Sequence, residues 1–206
     1  MINPESRPAK AEKPENFGLK EIGKPVLTDR QLKILRLVAL GLTNQEIADK
    51  LHCSPRTIKS HFYQRVASSG IFRRLGVCSR REAVVKAIEE LTILEPLELV
   101  SKEESERCKS LTERQLEFLG QLANPNLPSL RETIIEISAK LQIKPSTVKN
   151  SLGTIYRKLG LPNTGKGTGK STKATRAAVI YLAWQRRKEA TSPSHETPHE
   201  SSEAGG

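Results

Sequence analysis

Apolar residues along the chain recur at three- and four-residue spacings, and no stretch shows convincing strand alternation. The pattern predicts helices throughout. Leu32, Leu35 and Ala39 line one face of a first helix, which Thr28 can cap and Gly41 can stop. Thr43-Asn44-Gln45-Glu46 reads as a capping box opening a second helix, with Ile47 and Leu51 on one face. His52-Cys53 makes a tight turn. Ser54-Pro55 then opens a third helix, Ser as N-cap and Pro at the first helical position, where a missing N–H costs nothing. Ile58 and Phe62 are its buried pair. A fourth helix follows Ser79, through Ala83, Val84 and Ala87 to Leu91.

The pattern then returns. LTDRQLKILRLVAL from Leu27 recurs as LTERQLEFLGQLAN from Leu111, SPRTIKS from Ser54 as KPSTVKN from Lys144, and IFRRLGV from Ile71 as IYRKLGL from Ile155. In the second copy Leu116 and Leu119, then Ile137 and Leu141, mark the first two helices. Val148, Leu152, Ile155 and Leu159 form a continuous stripe on the third. A last helix is expected from about Ala174 to Lys188, ending in Arg186-Arg187-Lys188, charges that suit a helix C-terminus. A repeat of this length implies two small units of one fold. The expected class is all-α: two tandem four-helix helix-turn-helix domains, 27–91 and 111–190, flanked by a disordered arm (1–26) and tail (191–206). The connection, 92–110, is apolar and then acidic. It reads either as a helix extension with a solvated linker, or as a segment whose apolar half packs on a domain or a second chain.

Charge sharpens this picture. The formal net charge is +11 and the pI about 9.7. By segment the charge is +1 over 1–26, +6 over 27–91, −2 over 92–110, +9 over 111–190 and −3 over 191–206. Positive charge in the two repeats is the footprint of domains facing a phosphate backbone. Cys53, Cys78 and Cys108 form no CxxC pair, and His52, His61, His195 and His199 do not converge with them, so neither a disulfide framework nor a metal site is expected. No run is apolar enough for a membrane span and the N-terminus has no signal-peptide core, so a cytoplasmic protein is expected.

A capped helix, a tight turn and a second capped helix bearing Thr and Lys near its start can present its N-terminal residues to base edges in the major groove. LTDRQLKILRLVALGLTNQEIADKLHCSPRTIKSH, followed by IFRRLGVCSRREAV, resembles the LuxR-type (GerE/NarL-like) helix-turn-helix domain. The likeness covers about 60 residues, Leu27 to Ala87. A weaker version spans Leu111 to about Tyr181. The resemblance implies that Lys59, Ser60 and Tyr63 face base edges, that Thr57 and His61 lie near phosphates, and that Asn44 and Arg56 are further backbone contacts. In the second copy it implies Lys149, Asn150 and Gly153 at the base-facing positions and Thr147 near phosphate.

The copies depart from each other in two places. His61 to Leu75 spans 14 positions, whereas Ser151 to Leu159 spans 8. Six extra residues turn a helix about 240° beyond a full turn, so an uninterrupted helix would swing Leu75 off the buried face. A break near Ser68-Ser69-Gly70 and a restart at Ile71 are expected, with Arg65 on the longer helix as another DNA candidate. The second copy carries its insertion, Asn-Pro-Asn-Leu-Pro-Ser from Asn124, before helix two, where Ser129 and Glu132 supply a new capping box. It has Lys144 where the first has the Ser54 cap, and Ile134-Ile135 where the first has Asn44-Gln45. These residues should face a core or partner. The first copy is therefore the better candidate reader.

Thr164 to Ser171, TGKGTGKS, ends like a phosphate-binding loop but follows a helical repeat rather than a strand, and reads as a cationic loop. No catalytic residue and no cofactor are expected. The expected function is a non-enzymatic transcriptional regulator of double-stranded DNA, without a sensor domain because the first 26 residues are too short. RNA polymerase and a second copy of the chain are candidate partners. The alternatives are a promoter binder like sigma region 4 and a helical interaction module that has lost DNA binding.

Overall fold

The computed structural model describes residues 27–63, 70–127, 129–161 and 170–191. The expected arm, Arg65, most of the cationic loop and the tail beyond Thr191 lie outside the described residues. Every element among those described is helical. The first copy comprises α1 (Asp29–Ala39), α2 (Asn44–Lys50), α3 (Pro55–Tyr63), α4 (Ile71–Leu75) and α5 (Arg80–Glu89). Between the copies lie α6 (Pro96–Leu99), α7 (Lys102–Glu106) and a 3-10 turn, Arg107–Ser110. The second comprises α8 (Glu113–Leu122), α9 (Leu130–Lys140), α10 (Pro145–Lys158) and α11 (Lys170–Thr191).

Local chemistry sets most of the helix starts. Thr28, Thr43, Thr112 and Ser129 each accept from the backbone N–H three residues on, and the Gln or Glu there accepts the cap's own N–H in return. Ser79 caps α5 in the simpler way. The turn between the second and third helices is built identically in both copies. His52 (φ 50°) and Gln142 (φ 51°) are left-handed, and the Cys53 and Ile143 N–H groups reach back to Ala48 and Ser138 carbonyls at 3.0 and 3.1 Å. The expected restart is present: Gly70 is the N-cap of α4, whose end at Gly76 repeats the end of α10 at Gly160. In the second copy α10 runs unbroken, with Val148, Leu152, Ile155 and Leu159 all buried.

The copies are joined through their last helices, α5 and α11. α11, four residues longer at its start than its periodicity suggests, is buried from Ala174 to Ile180 on all sides and packs on α1, α5, α6, α7 and α8. Its alanines allow these close approaches. Residues 92–110 fold onto the same helix: Leu94, Val100, Ser105 and Cys108 are buried, and Arg187 donates to the Val100 carbonyl at 2.7 Å and the Ser105 hydroxyl at 2.7 Å. Arg186 lies 3.6 Å from Glu95 and 4.0 Å from Glu89. The terminal arginines of α11 therefore make tertiary bonds rather than merely balancing a helix dipole.

Two buried arginines cross between the copies. Arg81 of α5 donates to the Leu122 carbonyl at the end of α8 (2.5 Å), to the Leu127 carbonyl and to the Thr133 hydroxyl (2.9 Å). Arg176 of α11 donates to the Ala39 carbonyl at the end of α1 (3.4 Å), the Leu99 carbonyl (2.9 Å) and both Glu104 oxygens (2.8 Å each). Each copy's last helix thus delivers a cation to the C-terminus of the other copy's first helix, where the helix dipole favours it. Gly41 makes room for this: its φ is +83°, and a Cβ there would stand 3.1 Å from the Arg176 Cβ.

Candidate nucleic-acid interface

In the first copy α3 is held from beneath and free above. Ile58 is fully buried and Phe62 is 2% exposed, and burying such a pair contributes about 1.5–3 kcal/mol per side chain. Arg56, Thr57, Lys59, Ser60 and Tyr63 are exposed. The helix starts at Ser54, whose hydroxyl accepts the Thr57 N–H at 3.0 Å and lies 2.8 Å from the Thr57 hydroxyl. The Thr57 hydroxyl is therefore engaged in the cap. Pro55 contributes no N–H, and the Thr57 and Ile58 N–H groups are taken up by the Ser54 hydroxyl (3.0 Å) and the Ser54 carbonyl (3.2 Å).

Flanking residues tie α3 to its support. Arg30 donates to the Leu51 carbonyl at 2.9 Å, closing the end of α2. His61 is half-buried; burial first, and the charge of Arg30 second, hold its imidazole below the ordinary histidine value. Asn44 is half-buried, with its amide oxygen enclosed and without a hydrogen-bond partner. Arg80 donates to the Leu42 carbonyl at 3.0 Å, and its guanidinium lies 5.3 Å from the centre of the Phe62 ring. Burial pulls Arg80 down to about 10, which leaves it charged at neutral pH. Phe72 of α4 packs on both Phe62 (ring centres 5.2 Å apart) and Tyr63 (5.0 Å, near perpendicular). Arg80 and Phe72 were not among the sequence candidates, although FRR at the restart is the signal that carries Phe72.

The second copy presents a barer face. Thr147, Lys149, Asn150 and Gly153 are exposed on α10 above buried Val148 and Leu152. Lys144 stands at the N-cap and makes no side-chain cap bond. Ile134 is 9% exposed, packed in the core, but its neighbour Ile135 is 53% exposed. Lys158 donates to the Ser110 carbonyl at 2.8 Å and is taken up within the copy.

Among the described residues no group of three or more His, Cys, Asp or Glu side chains could hold a metal ion, and no helix is long and apolar enough to cross a membrane. Cys108 is buried, its thiol pushed up to about 12 by burial; Cys53 and Cys78 are free.

Part of the chain is similar in sequence to known proteins. The chain is similar to the transcriptional regulatory protein ComA of Bacillus subtilis (48% identical over 62 residues, 30% of this chain and 26% of that protein). It is also similar to the response regulator protein VraR of Staphylococcus aureus (39% over 64 residues, 31% of this chain and 28% of that protein) and to VraR of Staphylococcus epidermidis, with the same identity and coverage. The chain spans about a quarter of the length of these curated relatives. No solved structure matches the chain at a significant level. The family model described as bacterial regulatory proteins, luxR family, matches twice, over residues 25–87 and 109–166, which together make up more than half of the sequence. The chain therefore belongs to the luxR family of bacterial regulatory proteins, and carries its helix-turn-helix unit in two copies.

Proposed function

We propose that the chain is a transcriptional regulator that binds double-stranded DNA, with α3 of the first copy entering the major groove. The carrying observation is the exposed row Arg56, Thr57, Lys59, Ser60 and Tyr63 on a helix fixed from below by Ile58 and Phe62. Lys59, Ser60 and Tyr63 address base edges, where a cation suits guanine acceptors and a hydroxyl suits either base type. Arg56, Thr57 and His61 address the flanking phosphates, which the positive end of the α3 dipole also favours. Asn44 offers the backbone its amide NH2, the donor a phosphate oxygen needs.

The second copy contributes less directly. Lys149 and Asn150 on α10, with Thr147, supply backbone contacts, while α11 and Arg81 make the copy a structural partner of the first. The division is 27–91 for the reading unit and 111–190 for its partner, and relatives named as regulators support the overall role.

Binding should fall steeply with salt, the logarithm of the association constant losing about 0.9 per phosphate contact for each log unit of salt. Titration of the full chain with random-sequence duplex across a salt series checks this. A flat dependence would favour the reading of the chain as a protein-interaction module.

A further inference from the structure

The first copy carries an exposed, ring-supported tyrosine on its third helix that the second copy lacks. Tyr63 is 59% exposed yet stands edge to face against Phe72, itself 8% exposed. Phe72 rests on buried Phe62, and Arg80 covers Phe62 while bonded to the α1–α2 turn. In the register of the repeat, Leu152 stands for Phe62, Tyr156 for Phe72 and Gly153 for Tyr63. A Cβ at Gly153 would meet nothing within 4 Å, so α10 offers no side chain at the place of Tyr63, although Tyr156 supplies a ring in the register of Phe72.

We infer that Phe72 is a positioning residue, fixing the Tyr63 ring as an aromatic contact to base edges, with the thymine methyl as the group it suits. The inference rests on the proposal that α3 reads DNA. An exposed side chain loses rotamer freedom when it binds, and that loss weakens affinity. A tyrosine has only two torsions to fix, and a ring already held against Phe72 has little freedom left to lose. A planar apolar surface in the major groove recognises the methyl that only thymine presents there. The six-residue difference between the copies thereby becomes a difference in specificity. The first copy gains an aromatic preference, and the second, with glycine, has none.

The test uses the full chain. DNA selected from random duplex by the wild type is titrated, beside a non-specific duplex at the same salt, with Tyr63→Ala, Phe72→Leu, Phe72→Tyr and the double variant Tyr63→Ala/Phe72→Leu. Tyr63→Ala and Phe72→Leu should each weaken specific binding on the order of ten-fold, leave non-specific binding within about two-fold, and relax the same base positions on reselection. The double variant should lose no more than either single one. Phe72→Tyr, which keeps a ring, should retain the selected sequence. If Tyr63→Ala leaves that sequence unchanged, the inference is overturned whatever Phe72→Leu does. If Phe72→Leu weakens specific and non-specific binding alike, Phe72 has only a structural role, which overturns it too. A wild type that selects no sequence at all overturns the DNA reading itself, a failure distinct from both.

Discussion

At the scale of single residues, the α3 face divides into side chains that are free and side chains already committed. Lys59 and Arg56 are exposed, whereas the Thr57 hydroxyl is shared with Ser54 and the Asn44 amide oxygen is enclosed. His61 belongs to neither group. Its folded pKa lies below its unfolded one, so the unfolded chain takes up the proton first and stability falls as pH drops through the ordinary histidine range. A phosphate beside the ring reverses the preference by favouring the imidazolium. DNA affinity should therefore rise as pH falls from about 7.5 to about 6, and His61→Gln should flatten that rise. Titrations at fixed salt and two pH values check this, and parallel curves for wild type and variant would remove His61 from the phosphate contacts.

At the scale of elements, the two third helices differ at their starts. Ser54 caps α3, and Lys144 leaves α10 without a side-chain cap. Ser54→Ala should cost about 1 kcal/mol of stability, and Lys144→Ser should add a similar amount, both read from urea midpoints. Caps of this kind were legible in the sequence because each depends on residues three apart, as with Thr43 and Glu46 or Ser129 and Glu132. The α4 restart was legible for a related reason, since a six-residue insertion cannot keep a helical stripe in phase. The length of α11 was not. Its start lies in a Gly, Thr and Lys stretch that reads as loop, and the all-round burial of its middle, Ala174 to Ile180, comes from surrounding helices that no local period encodes. The α3 side chains were placed by motif, but their support by Phe72 depends on how α4 folds back on α3.

At the scale of the whole molecule, two units that look tandem in sequence are locked into one body. The locking groups, Arg81 and Arg176, lie 41 to 137 residues from their partners, beyond the reach of pattern reading. Among the described residues no carboxylate accepts from Arg81, and burial pulls its pKa down, so its three acceptors stabilise the buried cation. Arg81→Met keeps the apolar stem but leaves the Thr133 hydroxyl and two carbonyls short of a donor, at a cost of about 2–4 kcal/mol. Wild-type unfolding in denaturant should show one transition for both copies, and two well-separated transitions would contradict the fused arrangement. Fusion also explains how the copies can diverge, because a second unit that holds the first in place remains necessary even when its own helix reads little. The most direct test of this division titrates one specific duplex, at one salt concentration, with Lys59→Ala and Lys149→Ala. The expected result is a loss of about 1–3 kcal/mol in binding for Lys59→Ala and a clearly smaller loss for Lys149→Ala. Equal losses would contradict the account.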